Sequence, residues 1–491
     1  MLLLCGGLTA PALGQSVAPP AAPAAKPGLS LEQAIRLTLR GSNDAIRLED
    51  EKVNSAAAKL KQASGAFDWM VSGEGGYETL YVPRVAQGLL PNRGVLTDQT
   101  DTLGTGYISG GVGRTFRNGV TVRPGITAYP SSGASVAQTM GQTQFRPSLG
   151  IQIPLLKGLG ESSADAIERA AQESLRGSGF ARDFAISSLV NDVVQIYWRC
   201  LASDQIAANT SEADRRATEY ENSLHQMAGR GLIEPTVAQR ASAIAVSRRL
   251  SVEQAADAAD ACHRDLAAAT ADGAASAGAA TSGELPRMED MAAGLNRLNE
   301  TALQDLALEN RADAKAARQN VAAADAKLDG ARDATRPSVS LNLEPDRAIV
   351  RFSQSLENNA GEGLMAEASA DNSQAKITLD RLQVQIRSQV SDTLRQLRRA
   401  YSDWKILDEA LRQMDVVVID ARGRAELGVT DRSDFVSAQT QLASIRNQQT
   451  NARLQFASSL ATLRLVTGTI NPSADKADAV AARFLSPDIH S

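Results

Sequence analysis

One stretch of sequence occurs twice in this chain of 491 residues: RGLIEPTVAQRASAIAVSRR around Gly231 and LGVTDRSDFVSAQTQLASIR around Gly428. Each ends a long alanine-rich helical run and opens another. The match extends upstream, where Val190, Val194, Tyr197 and Leu201 reappear as Val390, Leu394, Leu397 and Tyr401 at an offset of 200. Gly160 reappears as Gly361, 201 residues on, and the two turn glycines are 197 apart. A long helical hairpin is therefore duplicated. In the first copy Ile186, Leu189, Val193, Ile196 and Cys200 follow the 3–4–3–4 spacing of a coiled-coil seam. A helix from about 163 to 229 would be roughly 100 Å long at ~1.5 Å per residue, far beyond an ordinary globular helix.

The rest of the map follows from changes of period. Ser30-Leu-Glu-Gln33 has capping-box spacing and predicts a helix over 30–66. Residues 67–156 switch to a two-residue period: Leu149, Ile151, Ile153 and Leu155 alternate with Gly150, Gln152 and Pro154. Asn118-Gly119 is the strongest hairpin signal in the chain. Eight of the 19 aromatic residues fall between Phe67 and Phe145, so this β insert differs in kind from the helical remainder. A long hairpin follows over 163–272, turning at Gly231 with Pro235 suited to a first helical position. The first unit thus spans 30–272, a small-residue linker 273–289, and the second unit 290–468. That second unit reads as a helix over 290–335, a short β hairpin over 338–355 and a helical hairpin over 362–467. Residues 469–491 read as a disordered tail.

Composition narrows the function. A net charge of −5 without a basic stripe argues against nucleic acid as a partner. No apolar run after the N-terminus is long enough for a membrane-spanning helix. Residues 1–14 read as a secretory signal peptide, and 15–29 as a Pro/Ala-rich tether. His225, His263 and His490 lack metal-ligand spacing, and no nucleophile elbow, P-loop or dinucleotide fingerprint occurs. Neither an enzyme nor a cofactor is expected.

Five motifs in order resemble the TolC-like outer-membrane efflux protein family over nearly all of Leu29 to Gly468. LSLEQAIRLTL with Asn43-Asp44 resembles its opening helix, and ALENRADAKAARQNVAAADAKL a second copy of it. IPLLKGLGESSADA and QSLENNAGEGLMAEASA resemble its strand-to-helix junctions. The most specific match is Gly428, Asp434, Phe435 and Ala438. The resemblance implies a mainly α fold with a membrane β region: two tandem repeats forming, in a homotrimer, an α-barrel tunnel and a shared β-barrel. It implies an outer-membrane duct of a tripartite efflux or type I secretion system, with the helices in the periplasm. Its partners would be a periplasmic adaptor, an inner-membrane transporter and outer-membrane lipid. A non-conducting trimeric envelope stalk is the alternative. Four strands per protomer and twelve in the trimer are expected, with the Asn118-Gly119 hairpin extending outward. Tyr77, Tyr81, Tyr107 and Tyr129 would supply an interfacial girdle.

Asp434 matches the family position of an acidic ring at the periplasmic mouth, with Ser437 where a second acid is common. An acid there also suits a helix N-terminus. Gly231 and Gly428 would be the tip turns that an adaptor grips. Cys200 and Cys262 each lie 31 residues from Gly231. Antiparallel helices would bring them to one height, as a disulfide or as two small buried seam residues.

Overall fold

The computed structural model describes residues 28–40, 43–87, 94–129, 144–270, 281–289, 291–426, 432–472 and 476–485. Gly428, the signal segment and most of the tether lie outside them. The first half runs α1 (Leu31–Thr38), α2 (Asp44–Ser64), β1 (Met70–Gln87), β2 (Gly94–Thr115), β3 (Thr121–Tyr129) and β4 (Gln144–Pro154). Next come a single helical turn α3 (Glu161–Ala164), α4 (Ala166–Gly229) and α5 (Pro235–Ala269). The second half runs α6 (Met291–Arg297), α7 (Glu300–Asn310), α8 (Ala312–Ala334), β5 (Ser338–Glu344) and β6 (Arg347–Ser353). It ends with α9 (Asn359–Glu426), α10 (Arg432–Thr467) and α11 (Ala477–Leu485).

Local chemistry sets these boundaries. The Ser30 capping box is complete, with reciprocal hydrogen bonds of 3.1 and 3.2 Å to Gln33. The helix expected over 30–66 is split, because Asn43 starts α2 afresh by accepting from the Ala45 N–H. The helix expected over 290–335 is split likewise, at Asn299, which caps α7, and at Arg311. Gly231 ends α4 in a left-handed conformation, φ +68°. Leu232 N–H reaches Met227 C=O and Gly231 N–H reaches Ala228 C=O, a Schellman closure, before Pro235 opens α5. Gly468 ends α10 by the same pair of bonds, to Arg464 and Leu465.

At ~1.5 Å per residue the 64-residue α4 and 68-residue α9 are each about 100 Å long. Shorter helices lie along them. α5 and α10 cover the half nearer the turns, while α2 and α8 cover the half nearer the sheet. The helices are thin, so the core gathers into a belt partway along. There Val190, Val194, Tyr197 and Trp198 of α4 pack with Ile35, Leu266 and Ala457. Ile386, Val390, Leu394 and Leu397 of α9 pack with Leu303, Phe456 and Leu463. The tail is partly structured: α11 seals the first cluster, burying Val480 and Phe484, whose ring meets Trp198 edge-on at 6.2 Å. The segment 480–485, interrupted by Arg483, is too short to stand out as a helix against the surrounding polar sequence. Among the described residues no helix is long and apolar enough to cross a membrane.

Among the described residues six strands form one antiparallel sheet in chain order, β1-β2-β3-β4-β5-β6. This corrects the expected four strands per protomer. The insert of the first half holds two complete hairpins, since β1 and β2, of 18 and 22 residues, outrun what a Gly/Ser-rich pattern signals. The direction of the Asn118-Gly119 turn is corrected too. It lies at the helical end of the sheet, where Gly160 N–H reaches Asn118 C=O at 3.3 Å. Only Gly119 takes positive φ, +88°, and Phe116 C=O accepts from Gly119 N–H, so the turn is a three-residue loop rather than the two-residue type expected of Asn-Gly.

Cys200 and Cys262 are bonded, with Cα atoms 5.3 Å apart, and tie α4 to α5 inside the first core cluster. The cross-link closes 62 residues of sequence separation, about 4 kcal/mol in the chain-entropy model. Replacing both cysteines with alanine should lower the thermal midpoint of purified protein followed by circular dichroism, and reducing agent should then no longer change it. An unchanged midpoint in the double variant would show that the belt alone fixes the hairpin.

Candidate channel and its junction with the helices

The register gives the sheet two chemically distinct faces. One face carries Val71 opposite Val112, Ile108 opposite Ala128, and Ile126 opposite Pro147. It continues through Phe145, Leu149 and Ile151 to Leu343, Leu341, Val350 and Phe352. Many of these side chains are open to the surroundings: Val71 is 83% exposed and Phe352 69%. The other face carries Ser72, Glu74, Ser109, Thr127, Arg146, Gln152 and Asn342. This polar face is the concave one, forming a trough of about 580 Å³ lined by residues that include Ser72, Glu74, Ser109, Arg123 and Thr127. An apolar convex face and a polar concave face are what alternation along each strand gives when a sheet curls with water inside.

The tyrosines divide between the faces. Tyr77 stands on the apolar face, 71% exposed. Tyr107, paired with Gly76, and Tyr129, paired with Gln144, fall on the polar face, which corrects the expected girdle. The Tyr107 ring lies where a side chain on Gly76 would be, and its hydroxyl donates to Glu74 Oε1 at 2.7 Å. The side chain of Tyr81 lies outside the described residues. Aromatic character at the helical rim comes instead from Trp69 and Phe116. The Arg114 guanidinium lies 5.7 and 5.3 Å from their ring centres. Arg114 stands opposite Val122, the one charged side chain among the described residues of the apolar face, and its Nε donates to Phe67 C=O. Strand parity, not composition, decides these placements, and parity was unreadable before the register was known.

Sheet and helices meet in a compact junction. Gly119 packs so closely that a β-carbon would sit 2.0 Å from Gly158 C=O. Gly158 N–H in turn donates to Asp333 Oδ2 at the end of α8, 2.7 Å. Arg117, in the β2–β3 turn, makes a two-pronged bond to Glu168 of α4 at 2.7 and 2.6 Å. Its guanidinium also covers the buried Phe67 ring at 5.0 Å. That hydrogen bond, with the attraction of the Arg117 charge, holds the Glu168 carboxyl below its ordinary value of 4.5 despite partial burial.

The remaining expected site residues lie at the opposite end. Asp434 is exposed in the first turn of α10, and Ser437 is exposed nearly one turn on. The Gly231 turn is exposed at the α4–α5 tip. The Arg248 guanidinium donates to the Thr440 hydroxyl at 3.2 Å, a link between α5 and α10. Gly428 lies outside the described residues, so its turn is not placed. One cluster went unnoticed in the sequence: His263 Nε2 and the Thr281 hydroxyl both bond Asp204, at 2.9 and 2.8 Å. It clips the interhalf segment onto α4 beside the disulfide. Nothing in the spacing of these three residues signalled it.

No family model and no curated relative matches this sequence. Solved structures do match. The chain is 13% identical to the outer-membrane channel OprN, with a TM-score of 0.63 over 89% of each chain. It is 12% identical to the Campylobacter jejuni CmeC outer membrane channel, with a TM-score of 0.63 over 98% of each. For VceC, an outer membrane protein of Vibrio cholerae, the identity is 14% and the TM-score 0.62 over 89% of this chain and 96% of that one. This chain has the TolC-like outer-membrane channel fold.

Glu168 supplies a pH-dependent contribution at the junction. Its folded pKa is depressed, so its stabilisation is present above the ordinary value of 4.5 and is lost as pH falls through the lowered one. Arg117→Gln should therefore lower the thermal midpoint at neutral pH and flatten its decline on acidification. Thermal melts at a series of pH values would show it; a parallel decline in both proteins would mean the pair is idle.

Proposed function

We propose that this chain is one protomer of a homotrimeric outer-membrane duct, serving a tripartite efflux or type I secretion system. The two-faced sheet carries the reading. Its apolar face suits lipid and its concave polar face suits a water-filled lumen. From the Phe352–Val339 pair to the Phe145–Ala128 pair is five steps of two residues across the paired strands. That is about 33 Å along the strands at ~3.3 Å per residue, or about 25 Å vertically at a tilt of ~40°, close to the apolar band of such barrels.

The sheet has two edges, β1 and β6. In lipid an open edge leaves backbone groups without partners, so only a closed barrel is stable there. Pairing β6 of one copy with β1 of the next closes the ring, and three copies of six strands make eighteen. Barrels of 16–18 strands enclose an aqueous channel. The helices then continue the conduit into the periplasm as a tunnel, and the tandem-repeat plan supplies each copy with two hairpins. The turns at Gly231 and Gly428 form the periplasmic mouth, where an adaptor joins the duct to an inner-membrane transporter. Asp434 lines that mouth, with Ser437 beside it. The role requires no covalent chemistry and no cofactor.

Planar-bilayer recordings of the purified full-length trimer test the reading. A duct gives stable single-channel steps, and Asp434→Asn shifts the reversal potential toward anions. A non-conducting stalk gives no steps, and that outcome would sink the proposal. The sheet makes a second, independent prediction. Leu149→Arg, near the middle of that band, places a charge in mid-lipid at about 2–4 kcal/mol, whereas Thr127→Arg, on the lumen side, costs little. Heat-resistant trimer in outer-membrane fractions should fall sharply for the first variant and persist for the second. Equal tolerance would contradict the assignment of faces.

A further inference from the structure

The described side chains on the polar face of the sheet are not balanced in charge. Four of its described side chains are arginines: Arg123, Arg146, Arg347 and Arg351. Two are carboxylates, Glu74 and Glu344. Glu344 is cancelled by Arg347, whose Nε lies 2.7 Å away. Glu74 is engaged by the Tyr107 hydroxyl. Arg123, Arg146 and Arg351 are exposed. Among the described side chains the balance is two positive charges per copy, six in a trimer.

The three arginines also form an ordered series. Arg146 stands on β4; Arg123 pairs with Gly150, four residues along that strand; and Arg351 is level with Ser340, which pairs with Pro154, four further. At ~3.3 Å per residue the steps are about 13 Å each. Glycines leave room for the middle one: the Arg123 Cγ is only 3.2 Å from where a β-carbon on Gly113 would lie. Three-fold symmetry would turn each arginine into a ring, so the ladder would span much of the barrel's height. Wall charge in a low-dielectric barrel focuses the field along the lumen and concentrates ions of opposite sign.

We propose, building on the duct reading, that this arginine ladder makes the β-barrel segment anion-favouring, and that the cargo released through it is anionic, bearing carboxylate, sulfate or phosphate groups. Screening sets the conditions of the effect. The Debye length is ~30 Å at 0.01 M salt, enough to fill a lumen of this size, and ~3 Å at 1 M. Selectivity from the ladder should therefore be strong at low salt and vanish at high salt.

The test is the reversal potential of the full-length trimer in planar bilayers under a potassium chloride gradient, at low and at high mean salt. Arg123→Gln/Arg146→Gln/Arg351→Gln should shift the chloride-to-potassium permeability ratio several-fold toward potassium at ~0.01 M and hardly at all at ~1 M. The corresponding triple lysine variant should keep the wild-type ratio. Should the triple glutamine variant fail to assemble, each single glutamine variant should give a partial shift in the same direction. A conducting channel whose ratio is unmoved by these changes, or moves toward chloride, overturns the inference and leaves the duct standing. A wild-type trimer that conducts nothing overturns both.

Discussion

Everything in this structure hangs on two strand edges that the chain cannot pair by itself. β1 and β6 border a sheet whose convex face is apolar from Val71 to Phe352. Such a face belongs in lipid, and lipid does not tolerate open edges, because each unpaired N–H or C=O there costs several kcal/mol. The sheet is therefore incomplete alone. In the proposed trimer, closure with further copies would fix the symmetry axis, and the long helices would stand around it.

The junction transmits that geometry. Gly119, Gly158 and Asp333 bring the β2–β3 turn, the β4–α3 connection and the end of α8 into one hydrogen-bonded knot. The knot spans both halves of the chain, and Arg117–Glu168 fastens it to α4. Below it the helices are too slender to own a deep core. They rely on alanine-lined seams and close approaches such as Gly177 against Gln319 and Asn320. The belt around Trp198 and Phe456, closed by α11 and the Cys200–Cys262 bond, is where most of the apolar burial lies. Chain length goes into reach and the belt into stability.

The helical plan was legible because its signals are local. Caps at Ser30 and Pro235 and the glycine at 231 each act within one turn, and the seam from Ile186 to Cys200 repeats on one helix face. The sheet was legible only as a change of period. Its strand number was not, since β1 and β2 are rich in glycine, which is depleted in strands. The placement of Tyr107 and Tyr129 on the polar rather than the apolar face turns on parity of register, which no single strand reveals. Asn118-Gly119 announced a turn correctly but carried no information about which end of the sheet it occupies. Contacts such as Asp204 with His263 and Thr281 join residues up to 77 apart and leave no trace in sequence.

The extra hairpin of the first half has a geometric rationale once three copies are considered. Near the sheet each protomer presents four helix columns, α2, α4, α8 and α9. Twelve columns at about 9–10 Å spacing give a ring roughly 115 Å in circumference. Eighteen strands at ~4.8 Å, tilted by ~40°, give a barrel circumference of about 112 Å. Twelve strands at the same tilt would give only about 75 Å, and the helices would have to converge steeply to meet them. In the proposed trimer, six strands per copy would let barrel and tunnel join at nearly equal width. The wide join also suits the knot at Gly119 and Gly158, which holds strand ends directly over helix ends and has no room for a lateral step.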